Sequence, residues 1–137
     1  MNDEIIDQNM VKSNNEAITI TNDKAVYRFQ NTSANELASK IESYLTGKGY
    51  KIEEGNSNNG VYGKGNKTLR ILFGAFVKRF TWRVTVVDEG NETILTFLKA
   101  EKGYWGGAIG VAQVKNEFRR ITESLRQFHD SFRKNME

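Results

Sequence analysis

Six basic residues, Lys64, Lys67, Arg70, Lys78, Arg79 and Arg83, crowd into residues 63–87, and no aspartate or glutamate occurs anywhere in 55–87. Arginine at this density suits anions, because its planar fork donates two parallel hydrogen bonds to a carboxylate or phosphate. Lys64, Lys67, Arg70, Arg79 and Arg83 are therefore the candidate residues for binding an anionic ligand or partner. A solvated face that keeps one sheet from stacking on another uses the same charges. Nucleic acid fits less well. Base stacking needs aromatic side chains on the same face, and the strand register derived below puts none there.

A glycine-rich run from Gly103 to Gly110 offers a second kind of chemistry. Bare backbone amides ahead of a helix can hold an anion. However, the spacing is that of neither a dinucleotide fingerprint nor a phosphate-binding loop, and Val111-Ala112-Gln113 follows where Lys-Ser/Thr is needed. A helix start crossing close to a sheet needs small residues too. With its aromatic residues the run would alternatively form an amphipathic tip against a membrane surface or partner. Trp82, Gly103, Tyr104, Trp105, Gly106 and Gly107 are the candidate pocket or tip residues.

Patterned catalytic groups are missing. There is no cysteine, which excludes disulfides, thiolate zinc sites and a cysteine nucleophile. His129 is the only histidine, so no histidine pair can hold a metal. It follows Leu125 by four and precedes Phe132 by three, which predicts a half-buried residue at the edge of an apolar seam. Asp130 points about 100° away from it on a helix. Glu53-Glu54 and Asp88-Glu89 sit in or beside loops, and neighbouring strand residues face opposite sides of a sheet. The sequence names no catalytic residue, metal site or cofactor, and favours binding over catalysis.

The elements that position these residues follow from periodicity. Residues 1–22 read as a flexible polar tail, although Ile18 and Ile20 alternate with threonines as in a short strand, and 23–137 as a single domain. Residues 24–30 predict a strand with Ala25, Tyr27 and Phe29 on one face. Ser33 and Glu36 form a capping box, in which each is expected to bond the other's amide. Leu37, Ile41, Tyr44 and Leu45 then make one helical stripe, with Gly47 as the left-handed stop. Residues 50–54 predict a short strand, 55–60 a loop, and 61–65 a kinked strand in which Gly63 and Gly65 mark a bulge or a close approach.

Residues 68–73 and 76–87 predict a hairpin around Gly74-Ala75, since a Gly-X loop suits a type II′ turn. This register sets Arg70 opposite Arg79 and Leu69 opposite Phe80. It gives a core face that includes Phe80, Trp82, Val84 and Val86, with Lys78 as its misfit, and an outer face that includes Arg70, Arg79, Thr81, Arg83 and Thr85. Like charges facing each other need an acid, solvent or an anionic partner. Residues 88–91 predict a turn and 92–99 the last strand. At about 111–134 a helix carries Val111, Val114, Phe118, Ile121, Leu125, Phe128 and Phe132, an unbroken apolar seam best buried against the chain's own sheet.

The expected fold class is α+β in two layers: an antiparallel sheet of about five or six strands, a capped N-terminal helix, and a long C-terminal helix on one face, in the order β-α-β-β-β-β-β-α. This order is similar to helix-grip and TBP-like architectures, in which a curved antiparallel sheet holds a long helix. The likeness is topological; no residue motif of either family is present.

Charge is unevenly spread. Residues 1–22 hold four acids against one lysine, a net of −3, whereas the remainder holds 19 bases and 13 acids, a net of +6. No apolar run approaches the ~18 residues that span a bilayer, and the acidic start is unlike a signal peptide. The expectation is a cytoplasmic binding module whose basic sheet face meets an anionic ligand or protein partner. One alternative is a homodimer or assembly component, in which Leu72, Val77, Leu95 and Phe97 turn outward to form an apolar face. Another is a helix-grip-type carrier or enzyme with a pocket lined by Trp82, Tyr104 and Phe118 under the long helix.

Overall fold

Alternating apolar residues build the sheet, and two amphipathic helices cover one side of it. The computed structural model describes residues 16–65, 80–100 and 107–136. The strands are β1 (Ile18–Ile20), β2 (Lys24–Phe29), β3 (Lys51–Asn56), β4 (Asn59–Lys64), β5 (Phe80–Asp88) and β6 (Thr93–Lys99). The helices are α1 (Ala34–Gly47) and α2 (Gly107–Met136). All pairings are antiparallel in a six-stranded sheet of order β1-β2-β6-β5-β4-β3. This is the expected α+β class. The Ile18/Ile20 alternation forms an edge strand, with Ile18 opposite Tyr27 and Ile20 opposite Ala25.

Both ends of α1 are chemically defined. The Ser33 hydroxyl accepts from the Glu36 amide at 3.1 Å. The reciprocal half of the expected box is replaced, because the Glu36 carboxylate accepts instead from the Thr32 hydroxyl at 3.2 Å. The stop also differs. Gly47 remains helical, and Gly49 takes the left-handed conformation at φ +96°. The Gly49 amide bonds the Thr46 carbonyl and the Tyr50 amide bonds the Leu45 carbonyl, a Schellman closure that also brings two buried side chains together.

Residues 55–60 form a tight hairpin rather than a loop. Gly55 stands opposite Gly60 and Asn56 opposite Asn59. The Asn56 side chain accepts from the amides of Asn58 and Asn59 at 2.9 and 3.1 Å, so its own carboxamide organises the turn. The β3–β4 register shifts between Ile52 and Glu54. Gly63 meets a close approach as expected: a side chain there would collide with the Glu53 carboxylate.

On β5, Phe80 pairs with Lys64 of β4, and Leu69, expected opposite it, lies outside the described residues. The described part of β5 therefore runs between β4 and β6. The rest of the hairpin expected over 68–79, including Lys78, lies outside the described residues. Phe80, Trp82, Val84 and Val86 do face the core. They meet Leu37, Ala38, Ile41 and Leu45 of α1 and Val114, Phe118, Ile121 and Leu125 of α2. Leu95 and Phe97 are fully buried with them. The outward apolar face proposed for a homodimer is thereby corrected for these two residues. Odd positions of β6 match odd positions of β2 and even positions of β5, so pairing turns them inward.

α2 begins at Gly107, four residues before the seam, and packs across the sheet's own core face. Polar groups fix its rotation. The Tyr27 hydroxyl donates to the Thr122 carbonyl at 2.7 Å and the Tyr44 hydroxyl to the Ser124 carbonyl at 3.0 Å. His129 is buried at 3 % exposure, not half-buried. Its Nε2 donates to the Arg28 carbonyl at 2.7 Å, and its ring packs on Phe29 at 4.7 Å.

Candidate functional site

The pleat separates two of the expected basic residues. Arg83 is opposite Val61 and Leu98 on the face that no described helix covers. Lys64 is opposite Phe80 on the helix side. The two therefore project from opposite faces. Lys67, Arg70 and Arg79 lie outside the described residues, as do Gly103, Tyr104, Trp105 and Gly106. Gly107 opens α2, and Trp82 is fully buried in the core.

The helix-free face combines hydroxyls, β-branched residues and sparse charge. Thr19, Val26, Thr96, Thr85 and Asn59 form one continuous row across five strands. Arg28 is neutralised by Glu92 at 2.6 Å. Among the described residues, Arg83 donates to the Asn59 side-chain carbonyl at 3.1 Å and has no carboxylate partner. Thr81, two residues away on the same face, buries a hydroxyl with no partner among the described residues. Val87 is 47 % exposed, the most exposed large hydrophobic side chain described.

On the helix side, Lys64 enters a cluster that the sequence did not announce. Glu117 projects from α2 at 10 % side-chain exposure, with Arg120 donating to both of its oxygens at 3.0 and 2.7 Å. The Tyr50 hydroxyl donates to Glu117 Oε2 at 2.5 Å, and Lys64 Nζ lies 3.6 Å from the same oxygen. Burial raises the Glu117 carboxyl's proton affinity. The hydrogen bonds from Arg120 and Tyr50 and the charge of Lys64 outweigh it and hold the carboxyl below its ordinary range. Glu117 in turn raises the Arg120 guanidinium. Burial, then the bond to Glu117, pushes the Tyr50 phenol well above the usual tyrosine value.

An aromatic wall adjoins this cluster. Trp82 contacts Tyr50, Phe80, Phe97 and Phe118, with ring centroids 5.6–6.5 Å apart. Its indole N–H lies near the Tyr50 oxygen but outside hydrogen-bonding geometry, and it has no other partner among the described residues. Lys99, opposite Trp82 on β6, carries its ammonium 5.2 Å above the Phe118 ring. The one local signal for the cluster was the Glu117/Arg120 spacing of three on a helix. Tyr50 and Lys64 join it only through folding.

Among the described residues, no group of histidine, aspartate or glutamate side chains is arranged to hold a metal ion, and no helix is long and apolar enough to cross a membrane. Comparisons with protein-family models, with curated proteins and with solved structures find no match.

Proposed function

We propose that this chain is a binding module that meets an anionic partner through the helix-free face of its sheet. The observation that supports this is Arg83. It stands on the face that no described helix covers, oriented by a neutral amide and without a carboxylate partner among the described residues, whereas Arg28 on the same face is already paired. An oriented guanidinium keeps most of its donors for an external carboxylate or phosphate. The Thr85 and Thr96 hydroxyls near it extend the donor array, and the β-branched row gives a partner apolar contact.

The test is an amide NMR titration of labelled protein with tripolyphosphate and, separately, with an oligoglutamate peptide. Shifts centred on Arg83, Thr81, Thr85 and Thr96 that disappear in high salt are expected. Shifts that spare this face, or none with either probe, contradict the proposal.

A further inference from the structure

We propose that residues 1–15 dock in cis on the helix-free face of the sheet, with their carboxylates against Arg83 and their apolar residues against Val87, and so compete with the anionic partner. The inference rests on the partner surface proposed above and adds its regulation.

Connectivity brings the segment to this face. Residues 1–15 lie outside the described residues, but the point at which they join the sheet is fixed. The Ala17 carbonyl accepts from the Arg28 amide at 2.7 Å, immediately before β1 begins. Arg28 stands opposite Ile94, and Ile94 opposite Val87. A single row therefore runs from the entry point of the segment, across β2 and β6, to β5. Val87 is near the end of β5 remote from Phe80, where residues 66–79 join that strand. Three inter-strand steps, about 14 Å, separate β1 from β5, and Arg83 lies about 13 Å from Val87 along β5. An extended run from Ala17 back to Val11 spans about 20 Å, and one back to Asp7 about 33 Å. Val11 thus reaches Val87, and Asp7 reaches Arg83.

The chemistry of segment and face is complementary. Residues 1–15 carry Asp3, Glu4 and Asp7 against Lys12, a net charge of 1 − 3 = −2, with Ile5, Ile6, Met10 and Val11 among them. On the face, Arg83 has no carboxylate partner among the described residues, and Val87 is 47 % exposed. Arg28 does not compete for the acids, because Glu92 already holds it at 2.6 Å. One exposed carboxylate attracts one exposed guanidinium only weakly. The covalent tether offsets this, since it keeps the acids at a local concentration on the order of millimolar. An external anion must then displace the segment, which lowers its apparent affinity without altering the site.

The chain has no cysteine, so Asn9→Cys in the full chain carries a single nitroxide spin label. Paramagnetic broadening of the Arg83, Thr85, Val87 and Ile94 amide signals is expected, and it should weaken in high salt. Joint Asp3→Asn, Glu4→Gln and Asp7→Asn substitution should reduce the broadening and tighten tripolyphosphate binding about three-fold. Broadening that spares this face overturns the proposal. So does equal broadening when the label and the isotope are on different molecules, which would mean contact between copies. Equal tripolyphosphate affinity with and without the three acids overturns the competition. The broadening needs no added anion, so it tests the docking even if tripolyphosphate binds neither chain, a result that would contradict the partner surface instead.

Discussion

Glu117 shows how one residue can join a helix to a sheet. Its carboxylate gathers Arg120 from its own helix, Tyr50 from the turn between α1 and β3, and Lys64 from β4. Because folding depresses its pKa, the stability it contributes is present above the ordinary carboxylate value and is lost as pH falls through the lower, folded value. Glu117→Gln should therefore lower stability by about 2 kcal/mol at neutral pH and remove that part of the acid-induced loss. Urea melts at neutral and acid pH check both; parallel losses in the two proteins would contradict it. The buried phenols act in the opposite direction. Tyr27, Tyr50 and Tyr62 are all raised, chiefly by burial. Their contribution is complete below about pH 10 and is lost as pH rises, because the unfolded chain ionises first. Stability should thus fall above about pH 10, and less steeply in Tyr27→Phe. At this scale the sequence was least legible. His129 looked like a boundary residue because helical spacing reports a direction and not what lies there. The Arg28 carbonyl that it bonds comes from 101 residues away.

Elements were more legible, because their signals are local. The Ser33 cap, the Leu37/Ile41/Leu45 stripe, the alternation of β2 and β5 and the seam of α2 all depend on residues within two turns or one strand. Errors arose where two local rules compete. Gly47 and Gly49 both suit a helix stop; the closure falls at Gly49, with the flanking Leu45 and Tyr50 side chains both buried. Gly47→Ala should accordingly stabilise α1 by up to about 1 kcal/mol, as a helical position with open space around it. Gly49→Ala should cost about 1–2 kcal/mol in the left-handed region. Thermal melts of the two variants should move in opposite directions; a shift the same way would contradict this placement of the stop. The 55–60 stretch misled because loop composition and a two-residue hairpin turn use the same glycines and asparagines. Ser33→Ala should cost about 1 kcal/mol through the lost cap, again read by melting.

For the whole molecule, strand pairing decides what the sequence left open. Period-two alternation says that Arg83 and Trp82 face opposite ways, but not which way is covered. Pairing of β5 between β4 and β6, with both helices on the Trp82 side, leaves Arg83, Thr85 and Val87 on the side that no described helix covers. The same pairing turns Leu95 and Phe97 into the core and separates Lys64 from Arg83. The two described members of the basic cluster are therefore split in space, with Lys64 beside Glu117 and Arg83, on our proposal, facing an external anion. Sequence alone could not divide these roles, because β4 and β5 meet in a register set by long-range contacts. The most direct test is the affinity of tripolyphosphate for the wild-type chain and for Arg83→Gln, measured by calorimetry with melting as the control for folding. The account predicts about a ten-fold loss with an unchanged melting temperature. An unchanged affinity would contradict it.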